Sequence, residues 1–138
     1  MTKISELENL AKERKITLYK GTPASDEQIS AMQKQLGLTL GEEYKQFLKN
    51  FGFLNAEYLE FYGICGENNA IPSAIFATLS MREKIPNFAK DLIVIGDVGD
   101  GNFYCIDCKD NVYYCQYDEA KRLNQTLGEF LAKEIQAL

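Results

Sequence analysis

Apolar residues recur at helical spacing through the first third of the chain and then switch to short strand-like runs. Ile4, Leu7 and Ala11 share one face of a helix expected from Thr2 to Arg14. Ile16 to Tyr19 is a short extended piece, and Lys20-Gly21-Thr22-Pro23 reads as a turn. Ser25 followed by Gln28 is a capping box, in which the hydroxyl accepts a backbone N–H and the amide reaches back. The helix it opens carries Ile29, Met32 and Leu36 and stops near Gly37. A third helix is expected from Glu42 to Asn50. Tyr44, Phe47, Leu48 and, just beyond, Phe51 form its apolar face, and Gly52 ends it. Its two leading glutamates suit the positive end of the helix dipole.

From Phe53 to Gly66 the pattern becomes short aromatic strands, with Tyr58, Leu59, Phe61, Tyr62 and Ile64 between glycines. Glu67-Asn68-Asn69 is a polar loop. Pro72 suits the first turn of a fourth helix reaching about to Arg82. Three strands follow, Leu92 to Ile95, Asn102 to Asp107 and Val112 to Tyr117. The last two are joined by a turn at Cys108-Lys109-Asp110-Asn111. Thr126 and Glu129 form a second capping box, opening a final helix with Leu127, Phe130, Leu131, Ile135 and Leu138 on one face.

Apolar residues on both faces of the three strands place that sheet centrally, covered on at least one side. The expected fold is α+β: one domain over residues 1–138, with helices packed on a central, mostly antiparallel sheet. The stretch Ile93 to Asp107 stands out. Gly96, Gly99 and Gly101 permit positive φ or close backbone approach between two apolar runs.

Composition adds limits. With 138 residues, 46% apolar and 25% charged, the chain fits one ordinary globular core. Its start lacks a signal-peptide core and no apolar run approaches a membrane span, so a cytoplasmic protein without membrane contact is expected. The net charge of −5 is uneven. Residues 50–81 contain no Lys or Arg and have a net charge of −3, and residues 91–118 set six aspartates against Lys109 alone. An acidic surface repels nucleic acid and speeds encounter with basic proteins, although acidic loops also serve solubility alone.

Candidate chemistry is sparse. The chain has no histidine, which removes histidine-based triads and dyads and histidine metal ligands. Cys105 and Cys108 form a C-x-x-C spacing, but a strand there puts the thiols on opposite faces. A four-thiolate zinc site with Cys65 and Cys115 is a remote reading. The Gly96–Gly101 loop lacks the basic residue or helix start of a phosphate cradle. Asp97, Asp100 and Asn102 could serve calcium, and Asp97 with Asp100 could form a carboxylate pair. A tight hairpin turn, with both aspartates satisfying backbone amides, explains the same residues more simply. Tyr58, Glu60, Tyr62 and Glu67, with tyrosines of the later strands, suit protein recognition or ordinary strand packing.

Three blocks carry a resemblance. Leu36-Gly37-Leu38-Thr39-Leu40 with Glu43-Tyr44-Lys45-Gln46-Phe47-Leu48 and Phe51-Gly52 resembles the helical half of the SUKH superfamily, in its Smi/Knr-type branch. Ile93 to Asp107 resembles that family's central hairpin. Val112-Tyr113, Tyr117-Asp118 and Thr126 to Leu131 resemble its closing strand and helix. The blocks occur in family order from about Ser25 to the end. Gly41 departs from the pattern by standing where the family usually has proline, and it is expected to loosen the helix start.

The resemblance implies a non-enzymatic binding protein without cofactor or metal. Many bacterial members are immunity proteins that block a cognate toxin, often a nuclease or deaminase, whereas fungal relatives are regulatory binding proteins. The expectation is a cytoplasmic immunity protein, a monomer or weak homo-oligomer, that covers the basic active site of a nuclease-type toxin. A regulatory or scaffold module without a toxin is the alternative. Glu57, Glu60, Glu67, Asp97, Asp100 and Asp118 are the candidates for charge, and Tyr58 and Tyr62 for anchors.

Overall fold

The computed structural model describes residues 3–65 and 72–138; Glu67, the polar loop around it and Thr2 lie outside them. Among the described residues the order is α1 (Lys3–Glu13), β1 (Leu18–Lys20), α2 (Asp26–Leu36), α3 (Glu42–Phe51), β2 (Leu54–Ala56), β3 (Leu59–Phe61), α4 (Ala74–Lys84), β4 (Ile93–Gly99), β5 (Asn102–Ile106), β6 (Asn111–Gln116), β7 (Glu119–Thr126) and α5 (Leu127–Gln136). The α+β expectation holds, with one refinement. The strands form two sheets, a three-stranded β1-β2-β3 and a four-stranded β4-β5-β6-β7, and every strand pair in them is antiparallel.

The sheets meet at one seam, where the Tyr62 N–H donates to the Ile95 carbonyl at 2.8 Å. Ile95 is the extra residue of a β-bulge, since Val94 and Gly96 face the consecutive residues Cys105 and Tyr104. A bulge re-aims the strand locally, and here its carbonyl meets the neighbouring sheet. The four-stranded sheet is covered on both faces. The Tyr104 ring packs 4.7 Å from Phe130 of α5 on one face, and Phe88 stacks 5.8 Å from Phe103 on the other. Thr78 of α4 ties that second face down by accepting the Val94 N–H at 2.9 Å. α1, α3 and α5 pack together around the buried Ile4, Leu7, Phe47, Leu48 and Leu131. Each such side chain contributes about 1.5–3 kcal/mol by leaving water.

The helix starts follow the sequence closely. Ser25 and Gln28 form the expected reciprocal cap of α2, and Gly37 ends it in the left-handed region at φ 68°. Glu129 closes the start of α5 by accepting from the Thr126 N–H at 3.0 Å. Two expectations need correction. Pro72 is not in the first turn of α4, because Ser73 caps that helix by accepting from the Phe76 N–H at 3.2 Å. The start of α3 is not loose despite Gly41. Asp110, expected in the turn joining two strands, is only 4% exposed, and its carboxylate accepts from the N–H groups of Glu43 and Tyr44, each at 3.0 Å. Its carbonyl accepts from Leu127 at 2.8 Å, and Glu43 in turn accepts from Gly128 at 2.8 Å. The starts of α3 and α5 are thus braced by one polar cluster.

β7 was not legible as a strand. Glu119-Ala120-Lys121-Arg122-Leu123-Asn124-Gln125-Thr126 has few β-branched or aromatic residues, and most of it is exposed. It pairs because β6 presents a free ladder edge, so tertiary context overrides its weak propensity. A register shift opposite Asn111 and Tyr113 absorbs its extra residues, with Asn124 at φ 59°.

Candidate functional site

The Gly96–Gly101 segment is a hairpin end. Gly99 pairs with Asn102, leaving Asp100 and Gly101 as a two-residue turn with φ of 54° and 81°. Positive φ at both central residues matches the twist of the flanking strands. Asp97 satisfies a backbone amide as expected, accepting from Gly99 at 2.9 Å, whereas Asp100 supplies left-handed backbone instead. Gly96 lies outside the positive-φ set.

Next to this hairpin, an open groove of about 540 Å³ runs between β3, the outer half of β4 and the end of α5. Glu60 enters from β3, Asp97 from β4 and Glu134 from α5, with Tyr58 at the preceding turn and Tyr62 and Tyr104 alongside. The lining residues include three carboxylates and no lysine or arginine. None of the three carboxylates takes part in an ion pair among the described residues.

Burial dominates the titration behaviour here, with nearby negative charge adding to it at Tyr62. The Tyr62 hydroxyl is pushed up to about 12, first by burial and then by the charges of Asp97 and Glu60. Tyr104 is raised by burial, then by Glu134 and Tyr114. Burial also raises the Glu134 carboxyl. Each group is displaced in the direction that a bound cation would reverse.

The other candidates spread outward. Tyr58 is 82% exposed and fits an anchor, while Tyr62 is only 3% exposed and does not. Its neighbours explain the burial. The Tyr62 N–H forms the inter-sheet seam, and its carbonyl accepts from the fully enclosed Tyr44 hydroxyl at 2.9 Å. Glu57 is exposed in the β2–β3 turn at φ 54°. Asp100 lines a second, smaller groove of about 240 Å³ on the α4 side of β4, together with Lys84, Tyr62 and Asp97. Asp118 is exposed in the β6–β7 turn, at the same end of the sheet as Asp100 because Asn102 pairs with Gln116. Glu134 was missed. Its signal was a carboxylate four residues after Phe130, beside the apolar stripe of the last helix.

The cysteines do not form a ligand set. Cys105 and Cys115 are buried and hydrogen-bonded to each other, and Cys108 is exposed in the β5–β6 turn. Burial pushes the Cys105 thiol well up, which keeps it protonated. Among the described residues no group of three or more Cys, Asp or Glu side chains is placed to hold a metal ion. No helix among them is long and apolar enough to cross a membrane.

A family model described as SMI1-KNR4 cell-wall, of the SUKH group, matches residues 4–136. The chain belongs to the SUKH superfamily. The match takes in both sheets and all but the first residue of the five helices, so the groove is built from elements of the SUKH domain itself. No curated protein matches the chain.

Proposed function

We propose that this SUKH protein is an immunity protein that binds a cognate protein toxin and covers its active site. The carrying observation is the acidic, tyrosine-bordered groove of Glu60, Asp97 and Glu134, which no basic residue of its lining neutralises. A nuclease active site is basic because it must hold a phosphate backbone. Such a site is complementary to this face in sign, and Tyr58 offers a large, rigid contact beside it. Asp100 and Asp118 extend the same negative edge along the end of the four-stranded sheet. On this reading the protein works in the cytoplasm of the producing cell and performs no chemistry.

Co-expression with nuclease-type toxin domains encoded beside its gene tests this. The expected result is restored growth with the wild-type chain and loss of protection with Glu60→Lys plus Asp97→Lys. Protection that survives this double reversal at low and high salt would remove the groove from the reading. Failure of the wild-type chain to protect against any neighbouring toxin supports the second reading, a regulatory or scaffold module. The description of the matched family, with its cell-wall connotation, favours that alternative.

A further inference from the structure

The smaller groove, between α4 and the β4–β5 hairpin, is mainly apolar. Val94 and Phe103 line it as buried residues, Phe76 and Met81 as half-buried ones, and Lys84 and Asp100 as exposed ones. α4 buries Ala74, Ile75, Ala77 and Thr78, yet Leu79 is 41% exposed and sits one helical turn from Phe76. A helix that is apolar on more than its core-facing side belongs against a second surface. Among the described residues the exposed large aliphatic side chains are Leu79 and Val98, and they belong to the two elements that flank this groove. From residue 50 to residue 108 the only basic residues are Arg82, Lys84 and Lys90. Arg82 is engaged, donating to the Lys90 carbonyl at 3.0 Å. Lys84 and Asp100 take part in no ion pair or side-chain hydrogen bond among the described residues.

We propose that this face docks a second copy of the chain. Two protomers pair about a two-fold axis, with Leu79 of each entering the groove of the other and Lys84 of each meeting Asp100 of the other. A two-fold interface sets one patch against itself, so the patch must hold both an anchor and a hollow, and charges of both signs. This patch holds all four, in Leu79, the groove, Lys84 and Asp100. The hollow is smaller than the roughly 300–1,000 Å³ of sites for drug-sized molecules and suits a single side chain. Across the β4 hairpin, the groove of Glu60, Asp97 and Glu134 has carboxylates and no base, so two copies repel each other there. Self-complementary charge thus selects the α4 face for pairing and leaves the acidic face free. The inference stands apart from the immunity reading and uses a different surface.

The test is sedimentation velocity of the full chain over a concentration series. The expected result is a reversible monomer–dimer equilibrium. Leu79→Glu, Lys84→Asp and Asp100→Lys are each expected to raise the dimer dissociation constant about tenfold or more. Lys84→Asp combined with Asp100→Lys is expected to restore dimerisation, because the swap rebuilds both ion pairs with their signs exchanged. Glu119→Lys, on the exposed β7, is expected to leave the equilibrium unchanged. All three positions are exposed, and circular dichroism of each variant reports whether the fold persists. A chain that stays monomeric throughout, a dimer indifferent to Leu79→Glu, or a charge swap as monomeric as its single variants would each overturn the proposal. A monomer that still protects against a toxin would sink the dimer and leave the immunity reading standing.

Discussion

The Asp110 carboxylate fills the space that a side chain at Gly41 would occupy, and it caps the helix that Gly41 cannot cap. Gly41 has an ordinary extended backbone, φ −73° and ψ 162°, so its missing Cβ matters for room and not for dihedral freedom. An added Cβ would run into the carboxylate of Asp110. The cap comes from the β5–β6 turn and reaches the free amides of Glu43 and Tyr44 at the start of α3.

Asp110→Ala is therefore expected to destabilise the protein by about 1–3 kcal/mol, read from urea unfolding. Gly41→Ala is expected to cost a similar amount in the wild-type background and much less when combined with Asp110→Ala. A double-mutant cycle measures that coupling. Additive effects would mean that the two positions do not share this space.

Two aspartates of the same turn titrate in opposite directions. Burial pushes Asp107 up, but hydrogen bonds from the side chain and N–H of Asn111, the Lys109 N–H and the Tyr113 hydroxyl outweigh it and hold the pKa below the ordinary value. A depressed folded pKa contributes stability that is present above the unfolded value and lost as pH falls through the folded one. Asp107→Asn is thus expected to lower stability at neutral pH and to flatten the acid loss below about pH 4. Asp110 is raised by burial, against the lowering effect of the Glu43 and Tyr44 amides. Its contribution is present below the unfolded value and lost as pH rises through the folded one. Asp110→Asn keeps an acceptor and is expected to remove that decline just above the ordinary carboxylate range. Urea midpoints from about pH 3 to 7 separate the two.

Tyr44→Phe is expected to cost about 1–3 kcal/mol, because it leaves the Tyr62 carbonyl without its buried donor. Amide exchange locates the effect. The Tyr62 N–H, bonded to Ile95 across the seam, is expected to exchange faster in this variant than amides of β5 and β6.

At the hairpin turn, Gly101→Ala is expected to cost about 1–2 kcal/mol. Nothing lies within 4 Å of the added methyl, so the cost is strain at φ 81° alone. Asp100→Gly, at φ 54°, is expected to leave stability nearly unchanged, since glycine accepts that backbone freely. Thermal unfolding of the two variants decides this.

The parts of the fold legible in the sequence were those fixed by neighbours in the chain. Ser25 and Gln28 cap a helix three residues apart, and Asp100-Gly101 specifies its own turn. What escaped depends on distant partners. Asp110 looks like any turn aspartate until α3 is brought against it, and β7 looks like surface until β6 offers its edge. The candidate site was half visible for the same reason. Glu60, Tyr62 and Asp97 converge because the Ile95 bulge joins the sheets, while Glu134 arrives from the last helix. Tyr62 was named for its type, but its burial leaves it unable to serve as an exposed anchor.

β7 has a further consequence. It is the outer strand of its sheet, eight residues long and largely exposed, and such an edge invites another chain to add to it. Glu119, Lys121 and Arg122 lie along it, and a second copy docking edge to edge would have to bury those charges. The charged, weakly strand-forming sequence that hid β7 thus doubles as a deterrent to edge-to-edge pairing.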